Sequence, residues 1–273
     1  MDIGLAILPT ADTIDTAVLV ERAEALGFES LWAPEQNILP LRTERPVPRL
    51  WGDIVDPMIA LARASAASTT IKLGTAVSIV PERDPLILAK QVATLDMYSG
   101  GRFLFGIGVG SGHEQAQIMG ADFPHRWTHA KEAVMAMKAL WTSEVSEFHG
   151  QYYDFPPLYC FPKPAQQPHP PVLLGGKARN VFKRIAAWGD GWIPINVSPR
   201  EVELGRSTLE RLAIAAGRDP ASLTISVVGV AADRHDIEHY NEAGADRAIV
   251  SLEAAGTTDS LAELEQLAEA VLH

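Results

Sequence analysis

Short apolar runs alternate with longer segments of helical period along almost the whole chain. A parallel α/β sheet requires this alternation, because each strand is followed by a helix that covers it. The runs that predict strands number eight and fall at residues 3–8, 30–33, 72–77, 103–109, 172–175, 191–194, 224–230 and 247–251. Eight strands joined by helices predict a closed (β/α)8 TIM barrel.

A doubly wound open sheet is the competing architecture, because it uses the same alternating units and a similar length. Two features favour the barrel. The strand count is eight, and the glycine-rich stretches follow strands in the middle of the chain and not the first strand. We therefore predict one TIM-barrel domain over residues 1–273.

Capping signals predict where several helices begin. An N-capping side chain stands before a proline suited to the first helical position at Asp56, Asp84 and Ser198. Two pairs have the spacing of a capping box, Ser198 with Glu201 and Ser260 with Glu263. We expect helices to start at each of these places.

Two segments interrupt the alternation. Residues 36–53 follow the second strand, are too long for an ordinary connection, and carry Arg42, Arg45, Arg49 and Trp51. This segment is predicted to be a lid over the barrel. Residues 144–171 alternate aromatic residues with glycine and proline before the fifth strand, which predicts an extended insertion.

Composition limits the classes of function. The 273 residues are 47% hydrophobic and 21% charged, as in a globular protein with a sizeable core. The formal charge of −11 disfavours general nucleic-acid binding, and Cys160 is the only cysteine, so no internal disulfide is possible. With no apolar run long enough for a membrane span and no basic segment after Met1, we expect a cytoplasmic protein with a small-molecule substrate.

In a barrel of this kind the active site is built by the loops that leave the carboxyl ends of the strands. After the second strand come Glu35 and Gln36, which are candidates for substrate or cofactor contact. Glu35 could equally form a salt bridge on the barrel rim. After the third strand, Thr75, Ala76 and Val77 are small enough for a flat ring to lie close to the backbone, although a buried strand of small residues would look the same.

The fourth strand runs into a stretch with glycines at alternate positions, which leaves one face without side chains for a ligand to approach. The spacing is not that of a dinucleotide-binding fingerprint. Val109, Gly110 and Ser111 lie in this stretch. His113 and Glu114 follow as candidate proton donors, or as exposed polar residues at a helix start.

The fifth strand ends in Gly175, Gly176 and Lys177 before a helix. Exposed amides of a glycine pair at a helix N-terminus, with a nearby cation, form a plausible phosphate cradle. A tight strand-to-helix turn is the alternative. Arg126 is a further candidate, either as a catalytic contact or in a salt bridge.

Other chemistries are disfavoured by missing motifs. The chain has no HExxH, phosphate-binding P-loop or GxSxG sequence, and its scattered histidines do not form an evident metal-binding constellation. We expect no metal. A Schiff-base enzyme is also disfavoured, because only Lys72 and Lys177 are close to strand ends and Lys72 is at the wrong end.

Several stretches together resemble the luciferase-like monooxygenase superfamily, in particular its branch of deazaflavin-dependent oxidoreductases. The similarity covers roughly residues 1–250. The stretches that match most clearly are GFESLWAPE at 27–35, LGTAV at 73–77, ATLD at 93–96, SGGR at 99–102, FGIGVG at 105–110, YDFPP at 153–157, PPVLLGG at 170–176 and GDGW at 189–192.

This resemblance implies a luciferase-like TIM barrel with a non-prolyl cis peptide at Ala76-Val77 behind the cofactor ring. It also implies that backbone near Val109, Gly110 and Ser111 lines the ring pocket, that Gly175 and Gly176 hold a phosphate, and that the protein is a homodimer. The cofactor expected is coenzyme F420, with FMN as the alternative.

The chain departs from the family pattern at two positions. Many deazaflavin dehydrogenases of this group have an acid followed by histidine where this chain has Glu35 and Gln36, and a neutral amide cannot act as a base. Ser111 stands where the sugar-phosphate dehydrogenase relatives have glutamate, which disfavours that activity.

The leading hypothesis is an F420-dependent oxidoreductase that transfers a hydride between the deazaflavin and a small organic substrate. Glu35, Gln36, Ser111 and His113 are its candidate catalytic residues. The alternatives are an FMN-dependent monooxygenase using reduced flavin and oxygen, a non-catalytic flavin-binding relative, and a cofactor-free barrel isomerase or lyase. The lid arginines could attract the anionic tail of coenzyme F420 or simply be solvated.

Overall fold

The computed structural model describes residues 1–44, 46–253 and 256–273. Its strands, numbered in chain order, are β1 (Asp2–Ala6), β2 (Ser30–Ala33), β3 (Lys72–Thr75), β4 (Ser78–Ile79), β5 (Phe103–Gly108), β6 (Val145–His149), β7 (Asp154–Tyr159), β8 (Val172–Gly175), β9 (Gly191–Ile193), β10 (Thr224–Val228) and β11 (Arg247–Ser251).

The α-helices follow the strands on the outside of the sheet. They are α1 (Thr16–Leu26), α2 (Pro57–Ala66), α3 (Pro85–Tyr98), α4 (His113–Ile118), α5 (Arg126–Thr142), α6 (Val181–Trp188), α7 (Pro199–Ala215), α8 (Arg234–Glu242) and α9 (Thr257–Leu272). None of the helices in the described ranges has the length and apolar character needed to cross a bilayer.

The main sheet closes on itself. Its strand order is β3-β2-β1-β11-β10-β9-β8-β5-β4, and β3 also pairs with β5. All of these pairings are parallel. The closed barrel confirms the predicted (β/α)8 fold and excludes the open doubly wound sheet.

The third predicted strand, at residues 72–77, is divided in the structure. β3 ends at Thr75, the Ala76-Val77 peptide is cis, and β4 then pairs with β5 at Ser78 and Ile79. The cis bond implied by the family resemblance is therefore present, and it lies at the carboxyl end of the barrel.

Trp32 fills the interior of the barrel. Its side chain is fully buried, and its indole N–H donates to the Ser30 hydroxyl at 2.8 Å. Glycines on the neighbouring strands make the room: a β-carbon at Gly74 would overlap the Trp32 ring, and one at Gly4 would lie 2.8 Å from the indole nitrogen. The packed interior therefore closes the barrel to the passage of solvent.

The predicted helix starts are confirmed at Asp56 and Asp84, whose carboxylates accept backbone N–H groups of the first turn. Ser198 and Glu201 form the predicted capping box. The box predicted at Ser260 and Glu263 is wrong, because α9 begins at Thr257 with Gly256 at the N-cap. Ser260 is buried within the first turn, and the Glu263 carboxylate accepts the N–H of Glu253 at 3.0 Å.

Both insertions contact the barrel. Within residues 144–171, β6 and β7 pair as an antiparallel hairpin, which confirms an extended insertion. Residues 36–53 end in a 3-10 helix over Arg49–Asp53, and the next residue, Ile54, bridges to Thr10 beyond β1. The predicted lid thus lies over the carboxyl ends of β1 and β2, although Arg45 is outside the described residues.

An ion-pair cluster closes the opposite end of the barrel. The Arg247 guanidinium, whose side chain is only 7% exposed, donates to both carboxylate oxygens of Glu29 at 2.6 Å. Lys72 lies 2.7 Å from the same carboxylate. Burial raises the pKa of Glu29, but hydrogen bonding and charge attraction from Arg247 and a hydrogen bond from Lys72 outweigh burial and lower it to about 2.

We expect Glu29→Gln to lower the free energy of unfolding by roughly 2 kcal/mol at neutral pH, because Arg247 keeps only Asp2, at 3.4 Å, as an anionic partner. The folded-state pKa lies below the ordinary 4.5, so the ionised carboxylate stabilises the fold above about that pH and loses the effect as the pH falls toward 2. The stability difference between wild type and variant should therefore narrow below about pH 5.

Urea unfolding at a series of pH values, followed by circular dichroism, measures this difference. Glu265→Gln is the matched control, because Glu265 pairs with Arg22 at the exposed surface, where an ion pair contributes about 0.5 kcal/mol. A difference that stays constant or widens toward low pH would contradict the assignment.

Candidate active site at the barrel mouth

A cavity of about 720 Å³ opens at the carboxyl ends of the barrel strands. Its walls include the ends of β1, β2, β10 and β11, the cis-linked Ala76, and Leu50 and Trp51 of the lid segment. This volume is within the range of small-molecule and cofactor sites. The cavity is therefore where the barrel rule places an active site.

Most of the side chains that line this cavity are apolar. Of the 18 residues that line it, Asn196, Ser251 and Glu253 carry polar side chains other than indole groups. Glu253 is the one titratable side chain among them. No lysine, arginine or histidine of the described chain lines the cavity.

Beside the cavity, the ends of β3, β5 and β8 approach one another without intervening side chains. The Thr75 hydroxyl donates to the Gly106 carbonyl at 2.6 Å, and a β-carbon at Gly106 would overlap the Thr75 carbonyl oxygen. Val77 lies over the same strands: β-carbons at Gly108 and Gly175 would come within 2.5 and 3.2 Å of its methyl groups. The result is a wall of backbone at the mouth.

Glu35 is held in a buried network behind this wall. Its carboxylate accepts from the Ser78 hydroxyl at 2.6 Å, the Ile79 N–H at 2.9 Å and the Arg83 guanidinium at 2.7 Å. Arg83 also contacts Asp56 at 2.7 Å. Burial lowers the pKa of Arg83, but the Glu35 and Asp56 carboxylates outweigh burial and raise it. Glu35 therefore fixes the segment that follows the cis peptide.

Gln36 belongs to a second polar network. Its amide nitrogen donates to the Ile38 carbonyl at 2.6 Å and to the side chain of Gln115. Gln115 and Asn37 both donate to Oε2 of the buried Glu82, at 2.7 and 3.0 Å. The amide of Gln36 thus links the start of the lid segment to α4.

A cationic corner lies at the end of β8. Gly176 has a positive φ of 96°, and a β-carbon there would lie 3.8 Å from the Trp127 ring. Arg184 stacks over that ring at 4.3 Å, and Arg126 is close enough for its charge, added to the effect of burial, to lower the pKa of Arg184. The Arg126 Nε atom is buried without a hydrogen-bond partner in the described structure.

None of the cations at this corner is neutralised. Within residues 1–44, 46–253 and 256–273, no carboxylate lies within salt-bridge distance of Arg126, Lys177 or Arg184. The Lys177 ammonium donates to the Asn196 carbonyl at 2.7 Å. A cluster of cations without carboxylate partners in the described chain is suited to an anion such as a phosphate.

A family model described as luciferase-like monooxygenase matches residues 4–270. The chain belongs to this family. An uncharacterized protein of Mycobacterium tuberculosis (strain ATCC 25618 / H37Rv) is 34% identical over 284 aligned positions, which cover 98% of both chains.

Two relatives with named activities use different cofactors. The FMNH2-dependent dimethylsulfone monooxygenase of Pseudomonas putida is 31% identical over 137 residues, covering 48% of this chain and 38% of that protein. The F420-dependent glucose-6-phosphate dehydrogenase of Amycolatopsis mediterranei (strain U-32) is 29% identical over 187 residues, covering 67% and 52%. Both are oxidoreductases, which supports an oxidoreductase that uses a flavin or a deazaflavin.

Solved structures of the luciferase-like fold superimpose on the whole chain. The monooxygenase RslO1 from Streptomyces bottropensis gives a TM-score of 0.78 at 21% identity, with 100% of this chain and 99% of that chain covered. The coenzyme F420-dependent tetrahydromethanopterin reductase from Methanopyrus kandleri gives 0.79 at 18% identity, with the same coverage. Identities this low establish the fold alone.

The residues predicted to contact the cofactor occupy different parts of the mouth. Ala76 lines the cavity, and Val77 and Gly175 meet at the backbone wall. Thr75 is fully buried, with its hydroxyl bonded to Gly106. Gly176 and Lys177 lie at the cationic corner. Their roles as cofactor contacts stay predictions.

The fourth-strand loop lies outside the cavity lining. Ser111 is exposed, Gly110 has a positive φ of 70°, and Val109 packs against the main core. His113 packs edge-on against Phe123 in a separate surface depression.

The remaining charged candidates have identifiable contacts. The Glu114 carboxylate accepts the N–H of Glu44 at 2.6 Å. Arg126 lies 3.9 Å over the Phe123 ring and donates to the Phe123 carbonyl. Of the lid arginines, Arg49 pairs with Asp53 at 3.0 Å and Arg42 is exposed, whereas Arg45 is outside the described residues.

Sequence reasoning missed Glu253, Asn196 and Arg184. Glu253 comes two residues after β11, so the rule that places barrel sites at carboxyl ends of strands could have found it. Asn196 also follows a barrel strand, three residues after the end of β9. It has a positive φ of 51°, which is unusual for a residue other than glycine. Arg184 lies inside α6. Its place at the site depends on the packing of Trp127 of α5 against it, which the sequence does not predict.

We expect Glu35→Gln to lower the free energy of unfolding by roughly 2 to 4 kcal/mol without any cofactor present, because Arg83 would keep only Asp56 as an anionic partner. For a chain of this length the melting temperature should fall by roughly 5 to 15 °C. Thermal unfolding followed by circular dichroism measures the change.

Glu114→Gln provides the control, because the Glu114 carboxylate bonds an exposed N–H and should leave the melting temperature almost unchanged. Equal melting temperatures for wild type and Glu35→Gln would show that the buried network is not structural, and would return Glu35 to the list of catalytic candidates.

Proposed function

We propose that this chain is a coenzyme F420-dependent oxidoreductase that transfers a hydride between the deazaflavin and a small organic substrate. The observation that carries a phosphate-bearing cofactor of this type is the cationic corner at Gly176, where Arg126 and Arg184 lie together without a carboxylate partner in the described chain. Such a corner is stabilised by an anion, and the cofactor's phosphate supplies one.

The backbone wall fits a flat ring system. Ala76 presents a small apolar surface to the cavity, and Val77 beside it lies close to β5 and β8 because Gly108 and Gly175 have no side chains. A planar ring can pack against this apolar surface, and the phosphate of the same molecule would extend toward Gly175 and Gly176. The wall and the corner are therefore the two parts that a flavin-type cofactor requires.

The chain's own contribution is binding, orientation and exclusion of water. When bound, the deazaflavin supplies the centre that accepts or donates the hydride. Trp51, Leu50 and the apolar strand ends would exclude water from that centre. Gln36, which is a neutral amide bonded to Ile38 and Gln115, would act as a positioning residue for the lid segment.

An FMN-dependent monooxygenase is the second candidate. The cationic corner supports it equally well, because FMN carries a phosphate of the same kind. It is also favoured by the similarity of about half of this chain to an FMNH2-dependent monooxygenase. Coenzyme F420 differs by its longer anionic tail, for which the exposed Arg42 of the lid segment offers one cation.

Fluorescence titration of the purified protein with coenzyme F420, and separately with FMN, distinguishes the candidates. We expect a micromolar or tighter dissociation constant for F420 and weaker binding of FMN. Tighter binding of FMN would move the assignment to the monooxygenase. Binding of neither cofactor would refute both proposals.

We expect Arg184→Gln to weaken binding of the preferred cofactor about 10- to 100-fold, because one charged hydrogen bond to the phosphate is lost. Lys183→Gln removes the same charge from an exposed neighbouring position on α6 and should change the dissociation constant less than about twofold. The phosphate-free forms of the two chromophores should bind wild type and Arg184→Gln equally. A similar loss for the phosphate-free forms would show that Arg184 acts through the fold.

A further inference from the structure

Asn196 brings a polar side chain to the mouth cavity, three residues beyond the end of β9. The residue is exposed, so its side chain is open to a ligand that enters the cavity. Most of the other side chains in the lining are apolar. In a site of this composition a few polar groups fix the orientation of the bound molecule.

The main chain of Asn196 is held on both sides. Its N–H donates to the Val228 carbonyl at 2.9 Å, and its carbonyl accepts from the Lys177 ammonium at 2.7 Å. The φ of 51° is a left-handed conformation that asparagine adopts more readily than most other residues with a side chain. These two bonds use main-chain atoms alone, so they fix the position of the residue and leave its amide side chain unused.

The side-chain amide has hydrogen-bonding capacity left for a ligand. No side-chain hydrogen bond joins it to another group within the described residues. Its oxygen is turned to Gly229, where a β-carbon would overlap it. The absence of a side chain at Gly229 therefore makes room for the amide, and the N–H groups of the amide nitrogen remain available as donors.

Two other polar side chains without an indole group line the cavity, Ser251 and Glu253. An ionised carboxylate can only accept a hydrogen bond, whereas a hydroxyl can donate one. Ser251 belongs to β11, and β9 and β10 separate that strand from β8. Asn196 follows β9, which pairs directly with β8 beside the backbone wall. Of these donors, Asn196 is therefore on the strand nearer to the wall.

We propose that Asn196 orients the substrate, its amide nitrogen donating a hydrogen bond to an uncharged oxygen of the bound molecule. This proposal rests on the proposed function in one respect, since it takes the cavity space beside the backbone wall to be the substrate site. A donor held at a carbonyl oxygen stabilises the negative charge that develops there during reduction. The same donor holds the oxygen of an alcohol, and the amide itself transfers no proton.

Acetophenone and α-methylstyrene test the proposal, because they have nearly the same shape and differ by a carbonyl oxygen in place of a methylene group. Titrations of the 15N-labelled protein, without added cofactor, are followed by NMR and give both dissociation constants. The side-chain amide signals of Asn196 are identified by their absence from the spectrum of Asn196→Gly. We expect acetophenone to shift these signals more than α-methylstyrene does.

Asn196→Gly removes the amide and keeps the main-chain bonds, because glycine adopts a positive φ without strain. We expect it to weaken acetophenone binding about three- to tenfold, which corresponds to one neutral hydrogen bond, and to change α-methylstyrene binding less than about twofold. Asn196→Asp keeps the shape of the side chain and removes the N–H donor. It should weaken acetophenone binding at least as much.

Asn241→Ala is the matched control, because it removes an exposed amide from α8, outside the cavity lining, and should leave both dissociation constants unchanged. Ser251→Ala should change acetophenone binding less than about twofold. Thermal unfolding establishes that each variant keeps its fold. The proposal is overturned if neither probe binds, if Asn196→Gly weakens both probes equally or neither, or if Ser251→Ala alone weakens acetophenone.

The cofactor titration gives a separate answer. If Asn196→Gly shows the expected loss for acetophenone but neither F420 nor FMN binds to the wild type, the function proposed above fails and the hydrogen bond from Asn196 stands. If a cofactor binds and the variant shows no selective loss, the proposed function stands and the role of Asn196 is refuted.

Discussion

Everything at the barrel mouth depends on the direct contact between the backbones of β3 and β5. A side chain at Gly106 would overlap the Thr75 carbonyl oxygen, and the Thr75 hydroxyl bonds the Gly106 carbonyl across the same gap. A sheet closes into a barrel only when the strands at its two edges pair. Here the closing pair is β3 with β5, and β5 has no side chain at Gly106, where the two backbones come closest. The same contact brings Val77 over Gly108 and Gly175, so barrel closure and the flat wall of the site have one cause.

The barrel also separates the charges of the site. Cations without carboxylate partners in the described chain collect after β8, where α5 and α6 bring Arg126 and Arg184 together. The unpaired acid Glu253 follows β11, and β9 and β10 lie between those two strands in the sheet. A ligand that spans the mouth therefore meets positive charge at one end and negative charge at the other. This polarity would orient a phosphate-bearing cofactor across the mouth.

The strands and most helix starts were predictable because their causes are local. Buried parallel strands produce short apolar runs, and Asp56, Asp84 and Ser198 cap helices within three residues of their own positions. The wrong prediction at Ser260 also has a local cause. Ser260 and Glu263 have the sequence spacing of a capping box, but they lie inside a helix that starts at Thr257. What could not be predicted depends on partners far along the chain. Glu35 is bound by groups 43, 44 and 48 residues away.

Glu35 and Glu253 show why the site itself resists prediction. Each is a glutamate two residues after a barrel strand, so the sequence presents them as equivalent. The fold brings Arg83, Ser78 and the Ile79 N–H to Glu35 and brings no cation of the described chain to Glu253. A buried, fully bonded carboxylate stabilises the structure around it, whereas an exposed carboxylate without an ion-pair partner at the cavity wall is left available to a ligand. The chemistry of a barrel site is therefore decided by which strand-end charges remain unpaired after folding, and three-dimensional packing alone determines that.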